Sequence, residues 1–165
     1  MDRELPIVAG GNRAWRWLAG FAFAAMVAAL PCHAVESDTT PIAASDADYA
    51  SGKLAIEARD WDAAIKYFSA AALRSPDNAD IQNYLGFANR RSGKLDAAFK
   101  HYQGALKLDP RHRGAHEYIG EAYLMANNLA KAEEHLAALD RLCLLPCSEY
   151  SDLKTKVAAY KKGAR

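Results

Sequence analysis

The chain has 165 residues, with 21 Lys and Arg against 20 Asp and Glu and a formal net charge of +1. That length fits one domain. The near-neutral balance excludes a protein that grips nucleic-acid phosphates through surplus cations, and it gives no basis for docking on an anionic lipid surface.

Residues 1–34 read as a secretory signal peptide. Arg13 and Arg16 form a positive segment, and Trp17 to Leu30 is an apolar run. Pro31-Cys32-His33-Ala34 then places small residues ahead of a cut after Ala34. The run is short for a membrane span. A retained anchor and lipidation at Cys32 are the rival readings. Cleavage removes Arg3, Arg13 and Arg16 together with Asp2 and Glu4, so the remainder is neutral. The segment lacks a transit-peptide composition, so the expected location is the bacterial periplasm; outright secretion fits the same residues.

Residues 35–44 hold Asp, Ser, two Thr and Pro41 without a periodic apolar face, and read as a flexible lead-in. From Ser45 the chain aligns on itself without gaps. Gly52, Gly86 and Gly120 stand 34 residues apart, and Ala64, Ala98 and Ala132 keep the same interval. Two interlocked sets in one register mark a repeated structural unit. Small residues let two helices approach where a larger side chain would hold them apart. The units are 45–78, 79–112 and 113–146.

Each unit reads as two helices. In the second, Ile81, Leu85 and Phe87-Ala88 mark one apolar stripe. Leu95, Ala98, Phe99, Tyr102, Ala105 and Leu106 mark the next. Short polar turns divide the pairs at Ala58-Arg59-Asp60, Ser92-Gly93-Lys94 and Ala126-Asn127-Asn128, where Gly93 and the Asn pair suit a left-handed stop. Pro76 and Pro110 end the second helices of their units. Ser148 to Lys162 reads as one further helix, N-capped by Ser148, with Leu153, Val157 and Tyr160 in an apolar stripe. It covers the end of the stack, and its face of Lys154, Lys156, Lys161 and Lys162 is left to solvent.

The second unit carries Leu85-Gly86, Ala98, Tyr102, Ala105 and Asp109-Pro110 at the offsets of the tetratricopeptide repeat, and resembles that family. The first matches at Gly52, Ala64, Phe68, Ala71 and Pro76. The third matches at Ile119-Gly120, Tyr123, Ala132 and Leu136. The Cys143 to Cys147 stretch followed by Ser148-Glu149-Tyr150 resembles a feature of exported bacterial members. The resemblance implies an all-α, right-handed solenoid of three helix-turn-helix repeats, closed by a capping helix and tail over 147–165. It implies a non-enzymatic adaptor whose first helices line a concave groove for a protein or peptide segment. Carried onto this chain, the groove positions are Tyr49, Lys53, Ile56 and Glu57, then Asn83, Phe87, Arg90 and Arg91, then Glu117, Glu121, Leu124 and Met125. Arg90 and Arg91 stand out as ligand contacts. One subgroup clamps an acidic chaperone tail with Lys and Asn. Lys53 meets that pattern, while Tyr49, Tyr84, Gly114 and Tyr118 break it.

The remaining chemistry is sparse. Cys143 and Cys147 stand about one helical turn apart if the segment is nearly helical, which is within disulfide reach. Export and an even count favour a bridge that fastens the third unit to the last helix. Thiol–disulfide redox activity is the alternative, against which stand the spacing and the lack of a βαβ context. His112 and His116 are read as surface histidines, and no Cys/His set has zinc spacing. There is no Gly-x-Ser-x-Gly, no Gly-rich phosphate loop and no His-Glu-x-x-His, so neither active site nor cofactor is expected. A monomeric adaptor is the expectation, with self-association as a structural protein of the envelope the other reading.

Overall fold

The computed structural model describes residues 46–145 and 147–163. The signal segment, the 35–44 lead-in and Ser45 lie outside the described residues. Among the described residues seven helices follow one another: α1 Ala47–Glu57, α2 Trp61–Arg74, α3 Ala79–Arg91, α4 Leu95–Leu108, α5 Arg113–Met125, α6 Leu129–Leu142 and α7 Ser148–Gly163. They pair as α1–α2, α3–α4 and α5–α6, with α7 single after the third hairpin. No strand occurs among the described residues.

Local chemistry sets the helix ends. The first turn of a helix leaves backbone N–H groups without partners, and side chains at its start accept from them. Asp46 accepts from the amides of Asp48 and Tyr49. Asp60 accepts from Ala63, Asn78 from Ile81 and Asn128 from Lys131. His112 does the same for Ala115 through Nδ1. Only α4 among α1–α6 starts without a side-chain cap. Each hairpin turn then needs one residue in the left-handed region, supplied by Arg59, Gly93 and Asn127 at φ 58°, 81° and 57°. The next residue donates back across the turn, Asp60 to Ala55, Lys94 to Asn89 and Asn128 to Tyr123, at 2.8–2.9 Å. Gly and Asn adopt this conformation readily, whereas Arg59 costs about 1 kcal/mol.

The 34-residue period marks close contacts. Ala64, Ala98 and Ala132 are fully buried. Gly52 lies against the Phe68 ring and Gly86 against the Tyr102 ring, so closely that a Cβ would stand 2.8 and 2.5 Å from them. Successive hairpins are joined through aromatic rings. Tyr84 of α3 stacks on Phe68 with centroids 4.9 Å apart, and Tyr118 of α5, one period on, lies 6.4 Å from Tyr102 and 5.1 Å from Phe87. At the start of the stack Arg74 bridges to Asp46 and Asp48 at 2.7 and 2.6 Å, tying the two ends of the first hairpin together.

The last junction is built otherwise. Against the hairpin before it, α3 rests mainly on α2 and α5 mainly on α4, but α7 rests more on α5 than on α6. Gly120 faces no ring of its own hairpin. It receives Leu153 of α7, where a Cβ would stand 2.6 Å from the Leu153 side chain. Leu153 and Val157 are buried with Ala132 and Leu139. Each contributes about 1.5–3 kcal/mol by leaving water. The sequence reading leaves the basic face of α7 to solvent, and for two lysines the structure differs. Lys156 pairs with Glu117 and Glu121 of α5, and Lys161 with Glu133 of α6.

Candidate partner groove

The first helix of each hairpin carries the expected groove residues, and the structure sorts them into buried and accessible sets. Tyr49 is half-buried, with its ring 5.7 Å from those of both Phe68 and Tyr84, and burial pushes its hydroxyl pKa up. It packs between hairpins. Lys53 and Glu57 are exposed, while Ile56 is half-buried against the first core cluster. Asn83 is buried, and its Oδ1 has no hydrogen-bond partner among the described residues. Phe87 is half-buried in a row of rings, 6.0 Å from Trp61 and 5.1 Å from Tyr118.

Arg90 and Arg91 are adjacent in sequence but occupy different environments. Arg90, expected as a ligand contact, is only 8% exposed. Its Nη1 donates to Glu121 at 2.7 Å, its Nε donates to the Tyr102 hydroxyl at 3.2 Å, and its guanidinium lies over Phe87 and Tyr118. It is an internal strut, because a successive residue on a helix points about 100° away from its neighbour. Arg91 is exposed and stacks on Trp61 with the guanidinium carbon 5.0 Å from the ring centre. That contact holds the Arg91 stem while its charge stays accessible.

Glu117 and Glu121, expected as groove positions, are also buried. Glu121 lies between Arg90 and Lys156. Glu117 pairs with Lys156, at 3.8 Å. Burial, and then the Glu121 carboxylate beside it, push its pKa up to about 7 against the pull of Lys156. Around neutral pH this floor of two cations and two carboxyls therefore alternates between neutral and singly positive. Leu124 and Met125 continue along α5, with Met125 54% exposed. A cavity of about 390 Å³ opens here, lined by Arg90, Glu121, Leu124, Met125, Lys156 and Tyr160.

The last two of those residues come from α7, and sequence reasoning missed them as groove residues. A signal was present: Lys156 sits beside the Leu153, Val157 and Tyr160 stripe, at a position that flanks a buried face. Trp61, which orients Arg91, was missed because it belongs to a second helix. Cys143 and Cys147 lie with Cα atoms 5.9 Å apart and their sulfurs joined.

The histidines are less exposed than the sequence reading has them. His112 caps α5 through Nδ1, which puts its proton on Nε2, 3.0 Å from Asp80. His116 Nε2 lies 3.1 Å from the Pro110 carbonyl, which can only accept, so His116 Nδ1 is the acceptor for His135 Nδ1 at 2.9 Å. Burial depresses both, and His116 beside it helps to bring His135 down to about 4. One period earlier His101 faces Gln82 in the same way at 2.9 Å.

Two family models, both described as tetratricopeptide repeat, match residues 49–111 and 89–157. No curated protein sequence matches the chain. Similar folds occur in solved structures. The type III secretion translocator chaperone SycD of Yersinia enterocolitica is 19% identical with TM-score 0.64, over 71% of this chain and 83% of its own. The TPR2B domain of yeast Sti1, solved in a complex with pHsp70, is 19% identical with TM-score 0.65, over 72% and 95%. PcrH, solved with the chaperone-binding region of PopD, is 21% identical with TM-score 0.63, over 72% and 91%. A stack of helical hairpins is the fold that these matches share. The chain belongs to the tetratricopeptide repeat family.

Proposed function

We propose that this protein is a non-enzymatic adaptor of the bacterial periplasm that holds a segment of another protein along its concave face. The observation that carries the reading is that Lys53, Arg91 and Met125 stay exposed on the first helices and Phe87 partly so, with a cavity lined by Leu124 and Met125 on the last of them. Apolar surface there supplies affinity, and the Arg91 and Lys53 charges set register and select an acidic segment. Similar folds in SycD, PcrH and Sti1 support it, since each is a chaperone or was solved with a bound protein or peptide. The signal-peptide pattern of residues 1–34 supports the location, and that location favours the Cys143–Cys147 bond.

The test is capture of partners by the purified protein from an envelope extract, compared with Arg91→Glu and with Phe87→Ala. Both variants should keep their helicity, and both should lose the same captured proteins. Unchanged capture by the two variants contradicts the groove assignment. An alkaline phosphatase fusion after residue 34 tests export, and an inactive fusion contradicts it.

A further inference from the structure

α7 meets the rest of the chain unlike any other helix. Its connection, from Cys143 to Cys147, carries Leu144 and Leu145 at 97% and 80% exposure, so these side chains do not anchor it. It leans onto α5 and covers two carboxyl groups, Glu117 and Glu121, that the end of a solenoid has no structural need to bury. Lys156 is the cation beside Glu117 and shares Glu121 with Arg90. Leu153 fills the notch at Gly120, and the Tyr160 hydroxyl donates to Asn127 Oδ1 at 3.2 Å. A charged anchor, an aliphatic knob in a notch and a terminal hydroxyl contact are the attachments of a helical ligand in a groove. Here the chain provides that ligand itself.

We propose that α7 is a detachable occupant of the downstream groove, that the Cys143–Cys147 bond retains it, and that the α5 face beneath it docks a partner's amphipathic helix. That helix would carry a lysine or arginine with aliphatic residues three positions before and one after, as Leu153, Lys156 and Val157 do. This deepens the adaptor reading and rests on it. Release of the lock is a two-electron exchange. An external dithiol is oxidised to its disulfide, and Cys143 and Cys147 each take up one hydrogen as the bond between them breaks. Closing a loop of five residues restricts the detached state, and reduction raises the opening of α7 by about thirtyfold.

The experiment uses the purified protein and a fluorescein-labelled peptide of residues 148–163, with binding read by anisotropy. The dithiothreitol-reduced protein should bind the peptide at least about tenfold tighter than the oxidised protein, within the thirtyfold ceiling. Protein carrying Lys156→Glu, whose own α7 is weakened, should bind it tighter still. A peptide carrying Lys156→Glu should not bind. Hydrogen exchange of α7 amides should quicken on reduction while that of α3 stays constant. Equal peptide affinity in the two redox states overturns the lock. Absence of binding to both the reduced and the Lys156→Glu proteins overturns the detachable helix. Neither result touches the strip at Arg91, whose capture test can fail or succeed alone.

Discussion

The junctions between hairpins and the junction with α7 solve one problem in two ways. Between hairpins a tyrosine at a fixed register, Tyr84 or Tyr118, reaches back to the aromatic ring of the hairpin before it. At α7 that register position is Asp152, which is exposed, and the contact is made by Leu153 and Val157, the partly buried Tyr150 ring and four ion pairs. Ring contacts bury much apolar surface and add about 0.5–1.5 kcal/mol per pair beyond that burial. Ion pairs with a half-exposed lysine are modest and sensitive to solvent. The difference teaches that the first six helices form the scaffold, whereas α7 is bound to it.

Substitutions sharpen that contrast, the largest first. Phe68→Ala empties a fully buried site at the first junction and should cost about 3–5 kcal/mol in urea unfolding of the whole stack. A loss under about 1 kcal/mol would mean that the ring junction is not the scaffold. Glu121→Ala strands the buried Arg90 charge and should cost about 3 kcal/mol. The double substitution Arg90→Met, Glu121→Leu should recover most of that loss. If the double variant is as unstable as the single, the pair is not the cause. Lys156→Ala removes a half-exposed partner and should cost about 1 kcal/mol or less globally. Its effect on hydrogen exchange should be confined to α7, and a spread into α3 and α4 would erase the distinction drawn above.

In the pH dependence two groups act with opposite sign. His135 has a folded pKa of about 4 and an ordinary value of 6.5. Between these values the unfolded chain binds more protons, so stability falls as pH drops through that window. His101 and His116 are shifted in the same direction by burial. Glu117 has a folded pKa of about 7 against 4.5, so the folded chain holds the extra proton, and stability falls as pH rises from 4.5 to 7. Thermal melts should therefore show His135→Gln losing less stability than the parent on acidification from 6.5 to 4.5. Glu117→Gln should lose less than the parent from 4.5 to 7. Parallel curves for parent and variant would remove the burial argument at that residue.

The scaffold was legible in the sequence because its close contacts recur at fixed intervals. Gly52, Gly86, Ala64, Ala98 and Ala132 occupy equivalent tight places, and Gly93 and Asn127 announce their turns by chemistry. Arg59 gives no such signal, since its left-handed conformation is imposed by the hairpin. Exposure at the candidate groove positions was not legible. Arg90 and Glu121 look like surface charges until α5 brings them together and Lys156, from a helix outside the repeat register, closes over Glu121. Burial of that kind depends on where α7 lands, and α7 shares no period with the repeats. Arg91 kept its expected exposure, although the Trp61 ring that holds it lies on a second helix, outside the groove pattern.

The account rests on an open strip along the first helices that meets another polypeptide. A photo-crosslinking amino acid placed at Arg91, and separately at the exposed Ser69 of α2, tests it most directly in intact cells. The prediction is a discrete covalent adduct with another protein from position 91 and none from position 69. Adducts from both positions alike, or from neither, would contradict it.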